Sequence, residues 1–239
     1  MNLKKVDKVL FLDIETVPQF EKLAEAPEQL RELFLKKFKN ELPEDTQEAG
    51  DDKTFFEKLW NEKASLHPEF GKIVCISVGM IYNDKFVKKS FISPDETKLL
   101  NDFVGGKLAE KLNDLSGGTV FCAYNGEGFH LPFIAKRLII NGIMVPKMFF
   151  YPDLKPWERN FLADLKTLWR WGSYEAPVSF KLLAYTLGFS ESMDDIDSTM
   201  IKDIFYLEND LKKISNHCEN DVELLYKAYI KLFANSANA

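Results

Sequence analysis

Val9-Leu10-Phe11-Leu12-Asp13-Ile14-Glu15-Thr16-Val17 decides the fold. The run is strongly apolar and stops at Pro18, which reads as a buried strand. Residues two apart on a strand point to the same face. Asp13 and Glu15 therefore leave one side of a strand whose other residues belong in a core. Paired carboxylates at the edge of a core are costly unless something positive compensates them. A divalent cation does this well, and oxygen ligands suit Mg²⁺ or Mn²⁺. A solvated strand end or a lysine partner fits less well with the apolar run before Asp13.

Outward from this strand the composition changes. Gln19 to Leu66 is highly charged, with apolar residues at helical spacing. Leu30, Leu33, Phe34 and Phe38 form one stripe, and Phe55, Phe56, Leu59 and Trp60 begin another. Pro43 to Asp52 is acidic, contains Gly50 and reads as a loop between two helices. The stretch is a helical insertion within one domain spanning residues 1–239, too short for a core of its own. Ile73 to Tyr82 and Phe86 to Ile92 then form a hairpin about Asn83-Asp84. Ser93-Pro94-Asp95-Glu96 predicts a helix start with Ser93 as N-cap, and the helix runs to about Leu112. Ser116-Gly117-Gly118 turns the chain into a short strand over Thr119 to Ala123, and Phe129 to Asn141 is helical. Asp153 to Trp171 holds a connector and a short helix. Ser179 caps a helix over Phe180 to Leu187, Asp194 to Ser198 is an acidic loop, and a long helix runs from about Leu207 to Phe233. The order is that of an α/β protein, a mixed sheet with helices packed on it.

Bulk properties narrow the function. The chain has 239 residues, 46% hydrophobic and 28% charged, with a formal net charge of -6. That balance argues against a strong, non-specific duplex binder, which needs a basic excess. It leaves room for an enzyme that grips a few nucleotides. Cys75, Cys122 and Cys218 are odd in number and widely spaced, which fits buried thiols in a reducing compartment. The charged first residues lack the apolar region of a signal peptide, and no apolar run approaches the ~20 residues of a membrane span. These features predict a cytoplasmic protein with no membrane association.

Two further places carry chemistry. His217 and Asp221 are four apart on the last helix and share a face, beside an apolar stripe of Ile214, Leu224, Leu225 and Ala228. Taken alone, they read as a surface pair. Tyr124-Asn125-Gly126-Glu127-Gly128-Phe129-His130-Leu131-Pro132-Phe133 leaves a strand, turns through glycines and enters a helix. Open α/β sheets place their sites at such turns. His130 alone reads equally as a site residue or as an ordinary, partly buried histidine.

Together these segments resemble the DEDD superfamily of 3′→5′ exonucleases, which has a ribonuclease H-like fold. Asp13-Ile14-Glu15-Thr16 is similar to the first motif. Asn125 to Phe133 resembles the second, in which an Asp follows the Phe. His217 to Asp221 resembles the third motif of the tyrosine subclass, in which Tyr stands four residues before the Asp. His67 to Ser77, Ser179 to Ala184 and Asp194-Asp195-Ile196-Asp197 resemble a subgroup of predicted exonucleases related to B-family polymerase proofreading domains. The resemblance runs from about Val9 to Tyr229. Two positions depart from the pattern: His130 replaces the second-motif Asp, and His217 replaces the Tyr. The histidine subclass places its His five residues before the Asp, and one residue of helix rotates a side chain by ~100°.

The resemblance implies hydrolysis of phosphodiester bonds at a nucleic-acid 3′ end, with two metals, Mg²⁺ or Mn²⁺. Asp13 would bridge the metals, Glu15 and Asp221 would hold one of them, and His217 would orient the attacking water. His130 would support the second metal, where imidazole suits Mn²⁺ or Zn²⁺ better than Mg²⁺. Thr16, Asn125 and Phe129 would contact the terminal nucleotide, although an aromatic beside a helix start also packs inward. Asp164 fits a helix-capping role better than that of a replacement ligand. Lys136-Arg137, Lys88-Lys89 and Lys212-Lys213 read as solvated faces that could also meet phosphates. The expected partner is single-stranded DNA with a free 3′ end. Two alternatives stand beside it: a pseudo-nuclease retained as a nucleic-acid or protein-binding module, and an RNA-trimming enzyme.

Overall fold

A computed structural model describes residues 8–41, 52–113, 118–150, 161–174 and 176–233. The loop expected at Pro43 to Asp52 lies almost wholly outside them, as do Ser116-Gly117 and the connector from Asp153 to Asn160. The apolar run forms β1 (Val9–Pro18), the middle strand of a five-stranded sheet. Its partners are β2 (Gly71–Tyr82), β3 (Lys85–Ile92), β4 (Val120–Ala123) and β5 (Leu162–Asp164). The order is β3-β2-β1-β4-β5, with β1 antiparallel to β2 and parallel to β4. The hairpin is as predicted. Asn83 and Asp84 both take positive φ, as a two-residue turn of type I′ requires. β5, only three residues long, carries too little pattern to be read in advance.

Alternation along β1 sorts the two sides of the sheet. Leu10, Leu12 and Ile14 pack under α3 (Glu96–Val104) and α5 (Leu131–Ile140), against Leu99, Phe103, Ile134 and Leu138. Val9 and Phe11 face α9 (Leu211–Phe233), against Val222, Leu225 and Tyr229. Phe11 meets the rings of Phe86, Tyr226 and Tyr229 edge-on at 5.5–5.8 Å. Such contacts are worth ~0.5–1.5 kcal/mol each beyond the area buried. Further along the α9 side, Val17 joins Ile214 and Cys218 in a second apolar cluster. Asp13 and Glu15 fall between these two clusters, so the same helix that buries Phe11 covers the acids.

β2 carries an irregularity beside them. Glu15 pairs with Cys75, but Thr16 pairs with Ile73, so Val74 is the extra residue of a bulge. Val74 and Cys75 consequently both lie on the α9 side, whereas Ile73 and Ile76 both lie on the other.

Some boundaries differ from expectation. Asp95, not Ser93, caps α3: its carboxylate accepts from the Lys98 amide, and the Ser93 hydroxyl accepts from the Asp95 amide. Glu96 is therefore free to turn inward. The predicted single helix divides at Gly105-Gly106 into α3 and α4 (Gly106–Asn113), since Gly106 takes φ +58. Ser179 caps α7 (Phe180–Thr186) as expected, accepting from the Leu182 amide.

The insertion contains α1 (Glu28–Phe38) and α2 (Asp52–Lys63). Short as it is, it gathers Phe34, Phe38, Phe56, Leu59 and the fully buried Trp60 around Phe70. Leu33, placed on the stripe by spacing, is exposed. The Thr16 hydroxyl donates to the Ser65 carbonyl at 2.8 Å, and the Gln19 amide donates to the Phe70 carbonyl at 2.8 Å. These bonds fix the insertion to the end of β1.

Candidate active site

Asp13 and Glu15 meet His217, Cys218 and Asp221 of α9 at one end of a cleft of about 1000 Å³. Helical spacing places His217 and Asp221 one turn apart on the face toward β1. Among the described residues, two sets of donor atoms each gather within 4.8 Å: those of Asp13, Glu15 and Cys218, and those of Glu15, His217 and Asp221. His217 Nε2 lies 3.4 Å from Glu15 Oε1 and 4.0 Å from Asp221 Oδ2. The Cys218 thiol donates to Asp13 Oδ2 at 3.5 Å.

The third contributor is the turn after β4. Asn125 takes the left-handed conformation, and Gly126–His130 forms a π-type turn leading into α5. Such turns are frequent at functional sites because they re-aim a side chain. Asp164 holds this one: its Oδ1 accepts the Asn125 amide at 2.9 Å and its Oδ2 the Glu127 amide at 3.0 Å. Its Oδ1 also caps α6 (Leu165–Arg170) through the Lys166 amide at 3.0 Å. Asp164 is thus a brace behind the turn. At Gly128 a Cβ would stand 2.5 Å from Asn125 Oδ1, so a larger residue there would push the Asn125 side chain aside. The turn delivers buried His130, whose Nε2 lies 2.9 Å from Asp13 Oδ1. Its Nδ1 faces the Asn125 carbonyl at 3.3 Å. A carbonyl and a carboxylate both accept, so the longer contact calls for a hydrogen on Nδ1 and the shorter one for a hydrogen on Nε2.

The charges crowd one another. Burial pushes the Glu15 carboxyl well above the usual carboxylate range, and Asp13 and Asp221 push it further. Burial, then Asp13, raises Asp221 to about 7, while His217 and Lys181 pull it the other way. Burial also holds the Cys218 thiol well up, so it enters the site neutral. Three carboxyl groups close together, two of them held from ionising by burial and by their neighbours, with two imidazoles beside them, have the donor chemistry of a divalent-cation site. The residues present fit that group.

Thr16, Asn125 and Phe129 all line the cleft. Thr16 spends its hydroxyl on Ser65, Asn125 Oδ1 accepts from Lys166 Nζ at 3.2 Å, and half-buried Phe129 packs its ring on Phe133 at 5.3 Å. The insertion supplies Asn61, Glu62, Ser65 and Leu66 to the cleft wall. The cationic residues singled out by pairing in the sequence are elsewhere. Arg137 is buried and bonded to Glu96, Lys88 pairs with Glu223 at 2.8 Å, and Lys213 pairs with Glu208 at 2.8 Å. The lysines that do line the cleft, Lys166, Lys181 and Lys202, are isolated in sequence; Lys181 falls in a stretch that carries the resemblance, but none of the three has a role assigned by it. Asp194, in the acidic loop that carries part of the resemblance, has no individual role in that reading, yet both its oxygens stand 2.9 Å from His217 Nδ1.

Residues 64–238 match the family described as predicted 3'-5' exonuclease related to the exonuclease domain of PolB. The chain belongs to this family. The matched segment contains His130, His217 and Asp221 and begins after Asp13 and Glu15. The fold is also that of a solved structure, the family B DNA polymerase from the hyperthermophilic archaeon Pyrobaculum calidifontis, at TM-score 0.57 and 16% identity. The alignment covers 95% of this chain and 24% of the polymerase chain, so the family member spans about a quarter of that protein. No curated protein matches the chain. Among the described residues, no helix is long and apolar enough to cross a membrane.

Proposed function

We propose that this chain is a single-domain, metal-dependent exonuclease that removes nucleotides from the 3′ end of single-stranded DNA. The observation that carries this reading is the convergence of Asp13, Glu15 and Asp221, from the central strand and the last helix, on one end of an open cleft. Asp13, Glu15 and Asp221 would hold the metal, with His130 beside Asp13. Mg²⁺ or Mn²⁺ bound there supplies charge neutralisation at the phosphate and a more acidic water. The chain's residues do the rest. His217, fixed by Asp194, stands beside Glu15 and Asp221, where a proton leaves the attacking water. Lys166 and Lys181 place positive charge along the path of the phosphodiester backbone. Thr16, Asn125 and Phe129 border the space for the terminal nucleotide, and the insertion narrows the cleft from the opposite side.

One observation favours a second reading, a pseudo-nuclease retained for binding. His130 Nε2 takes a hydrogen-bonding place on Asp13 that a cation would otherwise use. The test is nucleotide release from labelled single-stranded DNA and RNA oligomers, in Mg²⁺ and in Mn²⁺. Stepwise shortening from the 3′ end that is stronger in Mn²⁺, and lost by several orders of magnitude in Asp13→Ala, is the expected result. His130→Asp should then raise the Mg²⁺ rate. Silence of the parent protein on both polymers and in both metals would end the nuclease reading in favour of a binding module. Shortening of RNA alone would make it an RNA-trimming enzyme.

A further inference from the structure

His217 is buried, and its ring is held from outside the cluster of acids. Both Asp194 oxygens lie 2.9 Å from Nδ1. A carboxylate only accepts, so Nδ1 is the donor. Asp194 is itself fixed, because its Oδ1 also accepts the Ile196 amide at 3.1 Å. Three residues after Asp194, Asp197 caps the next turn through the Thr199 amide at 2.9 Å, so the loop carrying Asp194 is bonded at successive points. With Nδ1 committed, Nε2 is the atom that faces Glu15 and Asp221, at 3.4 and 4.0 Å. Ligands each ~2.0–2.2 Å from one ion lie ~3–4 Å apart, so these separations suit a shared cation. An imidazole backed by a carboxylate is the arrangement that orients a metal-binding histidine and raises its basicity.

We propose that Asp194 is a positioning residue that makes His217 a metal ligand through Nε2, completing with Glu15 and Asp221 a mixed nitrogen and oxygen site that selects Mn²⁺ over Mg²⁺. The inference rests on the metal-dependent reading above but changes the part His217 plays. A histidine that only orients water leaves metal choice to the carboxylates. A nitrogen ligand moves the preference toward borderline cations. The outer carboxylate sets the strength of that preference.

The test uses the full chain and reads metal binding directly. The chain has three histidines, His67, His130 and His217. In His130→Asn, His217 is the only histidine left at the acids. Mn²⁺ bound to this variant should show ¹⁴N coupling of an imidazole ligand in pulsed electron paramagnetic resonance, and the double variant with His217→Gln should lose it. In otherwise unaltered protein, Asp194→Ala should weaken Mn²⁺ binding by calorimetry ~10–100-fold and leave Mg²⁺ binding nearly unchanged. Asp194→Asn, whose amide oxygen still accepts from Nδ1, should recover much of the loss, and it guards against misfolding of the alanine variant. Bound Mn²⁺ without ¹⁴N coupling in His130→Asn would overturn the proposal, as would equal Mn²⁺ affinity in Asp194→Ala and the parent. A parent that binds no divalent metal would remove both this proposal and the exonuclease reading. ¹⁴N-coupled Mn²⁺ in a protein that shortens no oligomer would support the proposal and remove only the nuclease reading.

Discussion

Glu15 and Glu96 are both buried, on opposite sides of the same sheet, and their surroundings differ in kind. Glu96 is answered by the protein itself. Arg137 Nε donates to its two oxygens at 2.9 and 3.1 Å, the Ile73 amide donates at 2.7 Å and Asn141 at 3.1 Å. The remaining guanidinium reach is used on the Pro68 carbonyl. Among the described residues, Glu15 has acids for neighbours and only His217 as a basic one. One buried acid locks α3, α5 and β2 together; the other is left short of positive charge beside an open cleft. Burial alone does not mark a functional carboxylate. What marks it is the absence of a full set of partners within the chain.

The largest expected effect tests the structural half of this contrast. Glu96→Ala strands Arg137 without its partner and should destabilise the fold by about 3–5 kcal/mol in denaturant titrations. Asp164→Ala comes next. It frees the partly buried amides of Asn125, Glu127 and Lys166 and should cost about 1–3 kcal/mol, while loosening His130 and lowering metal affinity. The functional half has the opposite sign. Asp221→Asn should destroy metal binding yet make the metal-free protein more stable by about 1–3 kcal/mol at about pH 8, measured in chelator.

The smallest effect is the pH profile behind that number. The folded pKa of Asp221 is raised to about 7, above its ordinary value of 3.8. The folded state therefore binds the proton more tightly than the unfolded one. This contribution to stability is complete below about pH 4 and is lost as pH rises through about 7. Metal-free protein should lose melting temperature over that window, and Mn²⁺ should flatten or reverse the slope. A profile unaffected by metal would mean that the acids answer one another as fully as Arg137 answers Glu96.

Much of this was legible in the sequence, and what escaped has physical causes. β1 was plain because its apolar run is long and its period of two places both acids on one face. The hairpin declared itself through Asn83-Asp84, and α9 through its stripe. The break at Gly105-Gly106 escaped because one glycine at positive φ divides an otherwise continuous helical pattern. β5 escaped because three residues show no period. At the site, Asp13, Glu15, Asp221, His217 and His130 could be found because each belongs to a local motif. Lys166 reaches the cleft through long-range packing alone, and Asp194 and Lys181 lie in stretches that carry the resemblance without an individual role, which long-range packing gives them. Of the basic pairs read as solvated faces, Arg137 departs for the same reason: it is buried against a partner 41 residues away, on another helix.

The bulge at Val74 has a consequence for how this chain tolerates changes of length. β1 itself is regular through both acids, and the extra residue sits on its neighbour, on the side toward Pro18. Asp13 opposite Ser77 and Glu15 opposite Cys75 are in register with the hairpin, whereas Thr16, Val17 and Pro18 pair with Ile73, Lys72 and Gly71 one step out of phase. Residues gained or lost between Pro18 and Gly71 are absorbed on the far side of that step, where the insertion joins. A residue gained or lost upstream of Asp13 within β1 has no such buffer and would turn both acids into the packing of Leu10, Leu12 and Ile14. The chain thus separates a segment free to drift in length from a strand in which every residue must be counted.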